Sequence, residues 1–222
     1  MCNGAVHRLE LQQRLLSRND QGAARNRRQF QRLGLQVVNL LSAPGSGKTS
    51  LLEQLARRWP RPPIGVIVGD LATDHDATRL QQAGARSVQI CTGDRCHLDA
   101  ALVERALAQL DATALDLLVI ENVGNLVCPT AFDLGELRRV VVLSVTEGED
   151  KPLKYPALFA TADAVLINKG DLADAVGFDR AAARQNLQAV APRAAVFEVS
   201  ARQGQGLAAW MQWLEQPDGL GP

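Results

Sequence analysis

The stretch Leu35-Gln-Val-Val-Asn-Leu-Leu-Ser-Ala-Pro-Gly-Ser-Gly-Lys-Thr-Ser50 decides the fold. Its apolar run, Leu35 to Leu41, reads as a buried strand. The run breaks at Ser42 into a turn containing Pro44, Gly45, Ser46, Gly47, Lys48, Thr49 and Ser50. Leu51, Leu52 and Leu55 then fall on one helical face. Strand, glycine-containing turn and helix in that order are the context of a phosphate-binding P-loop. Glycines let successive backbone N–H groups converge on phosphate oxygens, and the helix N-terminus adds its positive dipole end. Lys48 reaches the β- and γ-phosphates in this reading, and the Thr49 hydroxyl ligates Mg²⁺. Ser42 departs from the general pattern, standing where the first glycine usually does.

Working outward, 222 residues suit one α/β domain. Hydrophobic residues at 46% and charged residues at 22% are ordinary for a globular chain. No apolar run has the length of a membrane span, and the first residues form no signal-peptide core. Cys2, Cys91, Cys96 and Cys128 do not make a disulfide framework in a chain this long, and read as thiols or metal ligands. The balance of 24 basic and 24 acidic residues offers no argument for nucleic acid. A cytoplasmic location is expected, with no membrane partner. Only Lys48, Lys151, Lys154 and Lys169 are lysines, so these positions suggest a need for a compact ammonium on a flexible stem.

Residues 1–34 read as an N-terminal helical extension, residues 35–215 as the nucleotide domain, and residues 216–222 as a loose tail. Leu9, Leu11, Leu15 and Leu16 suggest one amphipathic helix, with Asn19-Asp20 capping a second that runs to Gly34. Seven Arg from Arg8 to Arg32 face only Glu10 and Asp20, and this basic surface is either a solvated face or a site for an acidic partner or membrane surface. Beyond the P-loop helix, strands are expected at 64–68, 87–91, 117–121, 140–145, 164–168 and 196–199. Helices are expected at 98–110, 179–190 and 207–214. Apolar strands alternating with amphipathic helices predict a mostly parallel sheet flanked by helices.

Leu117-Leu-Val-Ile-Glu121-Asn-Val-Gly124 is an apolar strand ending in a carboxylate. Glu121 can hold Mg²⁺, and the Gly124 N–H can sense a γ-phosphate. Asn168-Lys169-Gly170-Asp171 decides the base. The Asp171 carboxylate can accept from guanine N1–H and the N2 amine, whereas adenine would leave it poorly paired. The Lys169 stem covers the ring, Asn168 ties the loop to the P-loop, and Ser200-Ala201 lies where backbone N–H groups read guanine O6. The nucleotide is expected to be GTP, and GDP after hydrolysis. In Gly69-Asp-Leu-Ala-Thr-Asp-His-Asp-Ala, Asp70 is the choice for Mg²⁺ and Asp76 for orienting the attacking water, with Asp74 a third carboxylate. Asn125, not glutamine, follows Gly124, so intrinsic hydrolysis is expected to be slow.

Cys96, His97 and Cys128 form a second constellation. Thiolate and imidazole ligands suit Ni²⁺ or Zn²⁺ and disfavour Mg²⁺. Cys128 lies just beyond Gly124, inside the γ-phosphate-sensing loop. Three ligands leave a tetrahedron that water, a second subunit or a delivery partner can close. Buried structural thiols beside a surface His are the alternative. Cys91, within a strand, is expected in the core.

Five motifs together resemble the hydrogenase nickel-incorporation GTPases, HypB, in the SIMIBI class of P-loop NTPases. They are the P-loop, the Asp70 segment, Thr92-Gly-Asp-Arg-Cys-His-Leu-Asp-Ala100, Glu121-Asn-Val-Gly-Asn-Leu-Val-Cys-Pro129 and Glu149-Asp-Lys-Pro-Leu-Lys-Tyr-Pro156. Ser42 is itself typical of that family. The resemblance implies a GTP-dependent homodimer that binds nickel or zinc at its interface and helps deliver nickel to a NiFe-hydrogenase large-subunit precursor. Its implied partners are the zinc-containing nickel chaperone HypA and, in some organisms, SlyD. Lys48, Thr49, Asp70, Glu121, Asn168 and Asp171 match the family's nucleotide and Mg²⁺ positions, and Cys96, His97 and Cys128 its metal ligands. The resemblance places Lys151 and Lys154 in the region of a contact across the dimer. Many relatives begin with a Cys-x-x-Cys-Gly-Cys nickel site. Met1-Cys-Asn-Gly-Ala-Val-His7 lacks it, so little nickel storage is expected.

Rival readings are a urease-type nickel GTPase, a P-loop small-molecule kinase, and a switch that handles no metal. The first would carry Cys-Pro-His, where this chain has Cys128-Pro129-Thr130. The second would not need the Asn168–Asp171 motif.

Overall fold

A computed structural model describes residues 3–61, 63–70, 75–93 and 95–216, with side chains from Gln13 onward. Cys2, Asp74, residues 217–222 and the side chains of His7, Leu9 and Leu11 lie outside the described residues. Seven strands form one sheet, all neighbours parallel, in the order β3-β2-β4-β1-β5-β6-β7. In chain order they are β1 (Gln36–Ser42), β2 (Gly65–Asp70), β3 (Arg86–Cys91), β4 (Leu117–Glu121), β5 (Arg138–Ser144), β6 (Ala164–Asn168) and β7 (Ala195–Glu198). The helices are α1 (Asn3–Leu33), α2 (Lys48–Arg58), α3 (His75–Gln82), α4 (Ala100–Gln109), α5 (Lys151–Lys154), α6 (Pro156–Phe159), α7 (Arg180–Val190) and α8 (Leu207–Glu215).

The strands are apolar runs because both sheet faces are covered. One face packs Val38, Leu40, Val66, Val119 and Val140 against Leu51, Leu52 and Leu55 of α2 and Trp210 of α8. The other carries two clusters. Val37, Ile67 and Leu118 meet α4 and Phe30 of α1. Leu41, Val141 and Val165 meet Phe159 of α6 and Leu187 of α7. Each fully buried Leu or Val contributes about 1.5–3 kcal/mol relative to exposure. Asp99 and Asp179 start α4 and α7 by accepting from backbone N–H groups of the first turn. The central β1 sends its C-terminal end into the P-loop, so the site sits at the carboxyl edge of the sheet, where open α/β sheets bind ligands.

Two expectations need correction. Asn19 does not cap a second helix, because α1 runs unbroken through it. Its amide is engaged elsewhere: Nδ2 donates to the Asp133 carbonyl at 2.8 Å and Oδ1 accepts from the Ala100 N–H at 2.9 Å. A local capping signal was overridden by tertiary bonds. Cys91 is exposed, not core: it is the last residue of β3, an edge strand of the sheet. Part of the basic surplus of α1 is answered within the chain, by Arg25–Glu104 at 3.4 Å and Arg27–Asp133 at 2.9 Å. Among the described residues, no helix is long and apolar enough to cross a membrane.

Candidate functional site

Two clefts meet at the P-loop. The first, of about 370 Å³, is lined by the P-loop together with Asp70, Asp76, Arg79, Glu121 and Gly124. The second, of about 420 Å³, is lined by Gly47, Ser50, Asn168, Lys169, Asp171 and Ala201 among others. Residues as far apart in sequence as Gly47 and Ala201 thus line adjoining clefts, with Gly47 and Ser50 common to both.

The loop is open where a ligand would lie and tight where the protein closes on itself. Gly45 has φ +72° and nothing within 4 Å of a Cβ added there. Gly47 has φ +95°, and its added Cβ would meet Asn168 Nδ2 at 2.6 Å. Asn168 explains that closeness: Nδ2 donates to the Ser46 carbonyl at 2.8 Å, and Oδ1 accepts from the Ala201 N–H at 3.1 Å. Ser42 is the residue whose role the sequence hid. It is fully buried, and its hydroxyl accepts from Lys48 Nζ at 2.9 Å and from Ser46 Oγ at 2.5 Å. Burial lowers the Lys48 ammonium below its ordinary value, and the Glu121 carboxylate opposes that shift most strongly.

In the second cleft Lys169 sits at φ +62°, a left-handed conformation unusual for a side-chain-bearing residue, and donates Nζ to the Gly45 carbonyl at 2.8 Å. Asp171 accepts from Ser200 Oγ at 2.6 Å. The backbone N–H of Ser200 bonds the Gln205 carbonyl at 3.0 Å. The Ser200 hydroxyl thus holds Asp171, while its N–H is held by Gln205.

Thr49 Oγ1 donates to Glu121 Oε1 at 2.8 Å, while Glu121 Oε2 is buried without a hydrogen-bond partner. An orphaned carboxylate oxygen beside a hydroxyl, with Asp70 on the same cleft, fits a hard cation such as Mg²⁺. Asp76 lines this cleft but is paired with Arg79 at 3.1 Å, and Arg79 also reaches Glu53 at 3.0 Å. Arg79 is a cationic lining residue that the sequence reading missed. Its spacing of three from Asp76 on α3 was the available signal.

Burial raises the Glu121 carboxyl from its ordinary 4.5 to about 7, with Lys48 and the Thr49 hydroxyl pulling it back. The native state therefore holds a proton that the unfolded chain releases between pH 4.5 and about 7. Stability of the nucleotide-free protein should fall as pH rises through that window, since the unfolded state binds fewer protons there. The full effect is on the order of 3 kcal/mol. Urea denaturation without metal at about pH 5 and about pH 8 measures it, and Glu121→Gln should flatten the slope. An undiminished slope in that variant would refute the assignment.

Cys96, His97 and Cys128 come together, with their donor atoms all within 4.8 Å of one another. Cys96 Sγ lies 3.6 Å from His97 Nδ1, and His97 stacks on Phe132 at 3.8 Å between ring centroids. Burial pushes the imidazole below its ordinary value, which favours the neutral, ligating form. A hydrogen bond with Cys96 and then burial raise the Cys128 thiol. Cys128 opens a one-turn 3-10 helix, Cys128–Ala131. That turn is tied to the nucleotide loop by Asn125, whose Oδ1 accepts from the Val127 and Cys128 N–H groups at 2.8 and 3.1 Å. Lys154 pairs with Asp150 at 2.5 Å, and Lys151 lies over the Tyr155 ring at 5.3 Å.

The parallel sheet, the P-loop and the Asn168–Asp171 turn define a P-loop nucleotide-binding domain of the GTPase kind. The family described as "CobW/HypB/UreG, nucleotide-binding domain" matches residues 36–198. "Hydrogenase maturation factor HypB" of Azotobacter vinelandii is 53% identical over 215 residues, covering 95% of this chain and 70% of that protein. The Escherichia coli (strain K12) protein of the same description is 46% identical, covering 93% and 72%. A crystal structure of HypB from Helicobacter pylori in complex with nickel superposes with a TM-score of 0.86 at 39% identity, covering 92% of this chain and all of that one. The signal recognition particle protein of Aeropyrum pernix, at 18% identity and a TM-score of 0.53, shares the fold alone. This chain belongs to the CobW/HypB/UreG family, and within it to the HypB hydrogenase maturation factors.

Proposed function

We propose that this protein is a GTP-hydrolysing nickel metallochaperone for hydrogenase maturation, in which the nucleotide governs a Cys96–His97–Cys128 metal centre. The observation that carries the proposal is the convergence of those three side chains on the segment leaving Gly124. Their N and S donors suit Ni²⁺ or Zn²⁺. An incomplete ligand set is suited to a cargo that must be released, with the remaining positions filled by water or by a second copy of the chain in a GTP-dependent dimer. The family resemblance supports HypA as the delivery partner, SlyD as a further one, and a hydrogenase large-subunit precursor as the recipient.

In this reading the N–H groups of residues 45–50 and the Lys48 ammonium hold the β- and γ-phosphates. Asp171 accepts from the guanine edge, and Lys169 covers the ring. Thr49, Glu121 and Asp70 would hold Mg²⁺, which neutralises phosphate charge when bound. Water attacks the γ-phosphorus, the bond to the β-phosphate oxygen breaks, and GDP and phosphate leave. Asn125 supports slow intrinsic turnover. Its side-chain oxygen is engaged by the Cys128 turn, so it does not stand in for a water-positioning glutamine.

The test is metal content and oligomeric state by light scattering, with GDP and with a non-hydrolysable GTP analogue, for wild type and Cys128→Ala. The expected result is nickel retention and dimerisation that respond to nucleotide in the wild type, with retention lost in Cys128→Ala. Dimers that ignore metal, with unchanged nickel content in both proteins and both states, would overturn the proposal.

A further inference from the structure

Behind Glu121 runs a chain of buried polar side chains that neither nucleotide contact nor metal ligation accounts for. Asn122, 1% exposed, accepts at Oδ1 from the Leu98 N–H at 3.2 Å, one residue past His97. Its Nδ2 donates to Asn39 Oδ1 at 3.3 Å. Asn39, wholly buried in mid-strand, donates Nδ2 to Glu136 Oε1 at 3.2 Å. Glu136 Oε1 also accepts from Arg139 Nε at 2.7 Å, and Oε2 accepts from the Leu134 N–H at 2.7 Å. Arg139 then donates to the carbonyls of Thr130 and Phe132 at 3.1 and 3.2 Å, the far end of the Cys128 turn. Phe132 closes the circuit by stacking on His97.

The placement is costly for a purely structural device. Val37 and Leu41, two residues either side of Asn39 on the same face of β1, belong to apolar clusters. An apolar residue at position 39 would join those clusters, whereas an asparagine there is tolerated only with its polar atoms satisfied. The bonds of this relay end on the two segments that carry the metal ligands and on the residue after Glu121.

We infer that Asn39 and Glu136 are positioning residues that hold the Cys96–His97 segment and the Cys128 turn in register with the Glu121–Gly124 loop, so that nucleotide state reaches the metal ligands through them. The inference rests on the reading of Cys96, His97 and Cys128 as a metal centre. A γ-phosphate contact at Gly124 displaces Asn122, and the relay carries that displacement to both ligand segments at once. Coupling of this kind is reciprocal, so nickel must alter nucleotide affinity by the same factor.

The test titrates Ni²⁺ into wild type, Asn39→Val, Glu136→Gln and Cys128→Ala, each loaded with GDP or with a non-hydrolysable GTP analogue. Affinity and the thiolate-to-nickel charge-transfer absorption are recorded, with GDP affinity and Tm as controls. In Asn39→Val, GDP affinity should be kept while nickel affinity falls about tenfold. The ratio of nickel affinities between the two nucleotide states should shrink towards unity, with a shifted absorption band. Glu136→Gln should move the same way by less, and decides the matter if Asn39→Val does not fold. A folded variant with the wild-type ratio overturns the inference, even if its nickel affinity is lower, since that would be a structural effect. A wild type whose nickel affinity ignores nucleotide overturns it as well. Nickel binding unaffected in Cys128→Ala brings down the metal-centre reading itself. Nickel lost in Cys128→Ala but unaffected in both relay variants brings down only the relay.

Discussion

Asp171→Asn should exchange a preference for guanine nucleotides for one for xanthine nucleotides. The carboxylate lines the second cleft with Oδ1 held by the Ser200 hydroxyl at 2.6 Å, which fixes its plane. Guanine offers that plane two donors, N1–H and the N2 amine. Each hydrogen bond to a charged acceptor contributes about 1.5–3 kcal/mol. Losing two, or facing an amine with an amide N–H₂, should weaken GDP and GTP binding by about a hundredfold to ten-thousandfold. Xanthine carries a carbonyl at C2 in place of the amine, and an asparagine can accept from N1–H while donating to that carbonyl. The Ser200 hydroxyl can donate to the new Oδ1 or accept from Nδ2, so the turn and the Tm should survive. Competition between GDP and XDP for a fluorescent nucleotide measures the switch. A variant that keeps wild-type GDP affinity would show that Asp171 does not read the base.

What the sequence disclosed and what it withheld follow from how far apart the deciding residues lie. Strands β1, β4 and β6 are buried at nearly every position, so each is a continuous apolar run readable in place. The P-loop, the Glu121 strand and the Asn168–Asp171 turn are contiguous motifs, and the fold only had to bring them to one edge. Cys96 and His97 met Cys128 because both segments leave the same edge. Cys91 was misread because strand order across a sheet is not written in any one strand. Asn19 was misread because its amide answers to Ala100 and Asp133, many residues away. The Asn39–Glu136 relay was invisible for the same reason, its members being joined across 83 and 97 positions. Ser42 appeared as a deviation until its hydroxyl was seen to seat Lys48.

That seating leads to the second large effect: Lys48→Ala should lower single-turnover GTP hydrolysis by about a hundredfold to a thousandfold at neutral pH. Lys48 is 8% exposed and anchored by Ser42 at 2.9 Å, and in the proposed function it stands where charge builds on the transferring phosphoryl oxygens. A preorganised cation in a site with little water contributes more there than a solvated one. Its loss has a second consequence. Lys48 is the strongest influence holding the Glu121 carboxyl down against burial. Without it, Glu121 keeps its proton to higher pH and offers no charge to Mg²⁺. The variant should therefore need more Mg²⁺, and raising the pH should recover part of the loss, whereas Lys48→Ala with Glu121→Gln should show no such recovery. Ser42→Gly, which removes the anchor and the partner of the Ser46 hydroxyl, should cost less than about tenfold, since the ammonium can still reach the phosphates. Single-turnover assays with enzyme in excess, across pH and Mg²⁺ concentration, separate these effects. Wild-type hydrolysis by Lys48→Ala would remove the lysine from the chemistry, and a pH-independent deficit would leave the phosphate role standing while dissolving its link to Glu121.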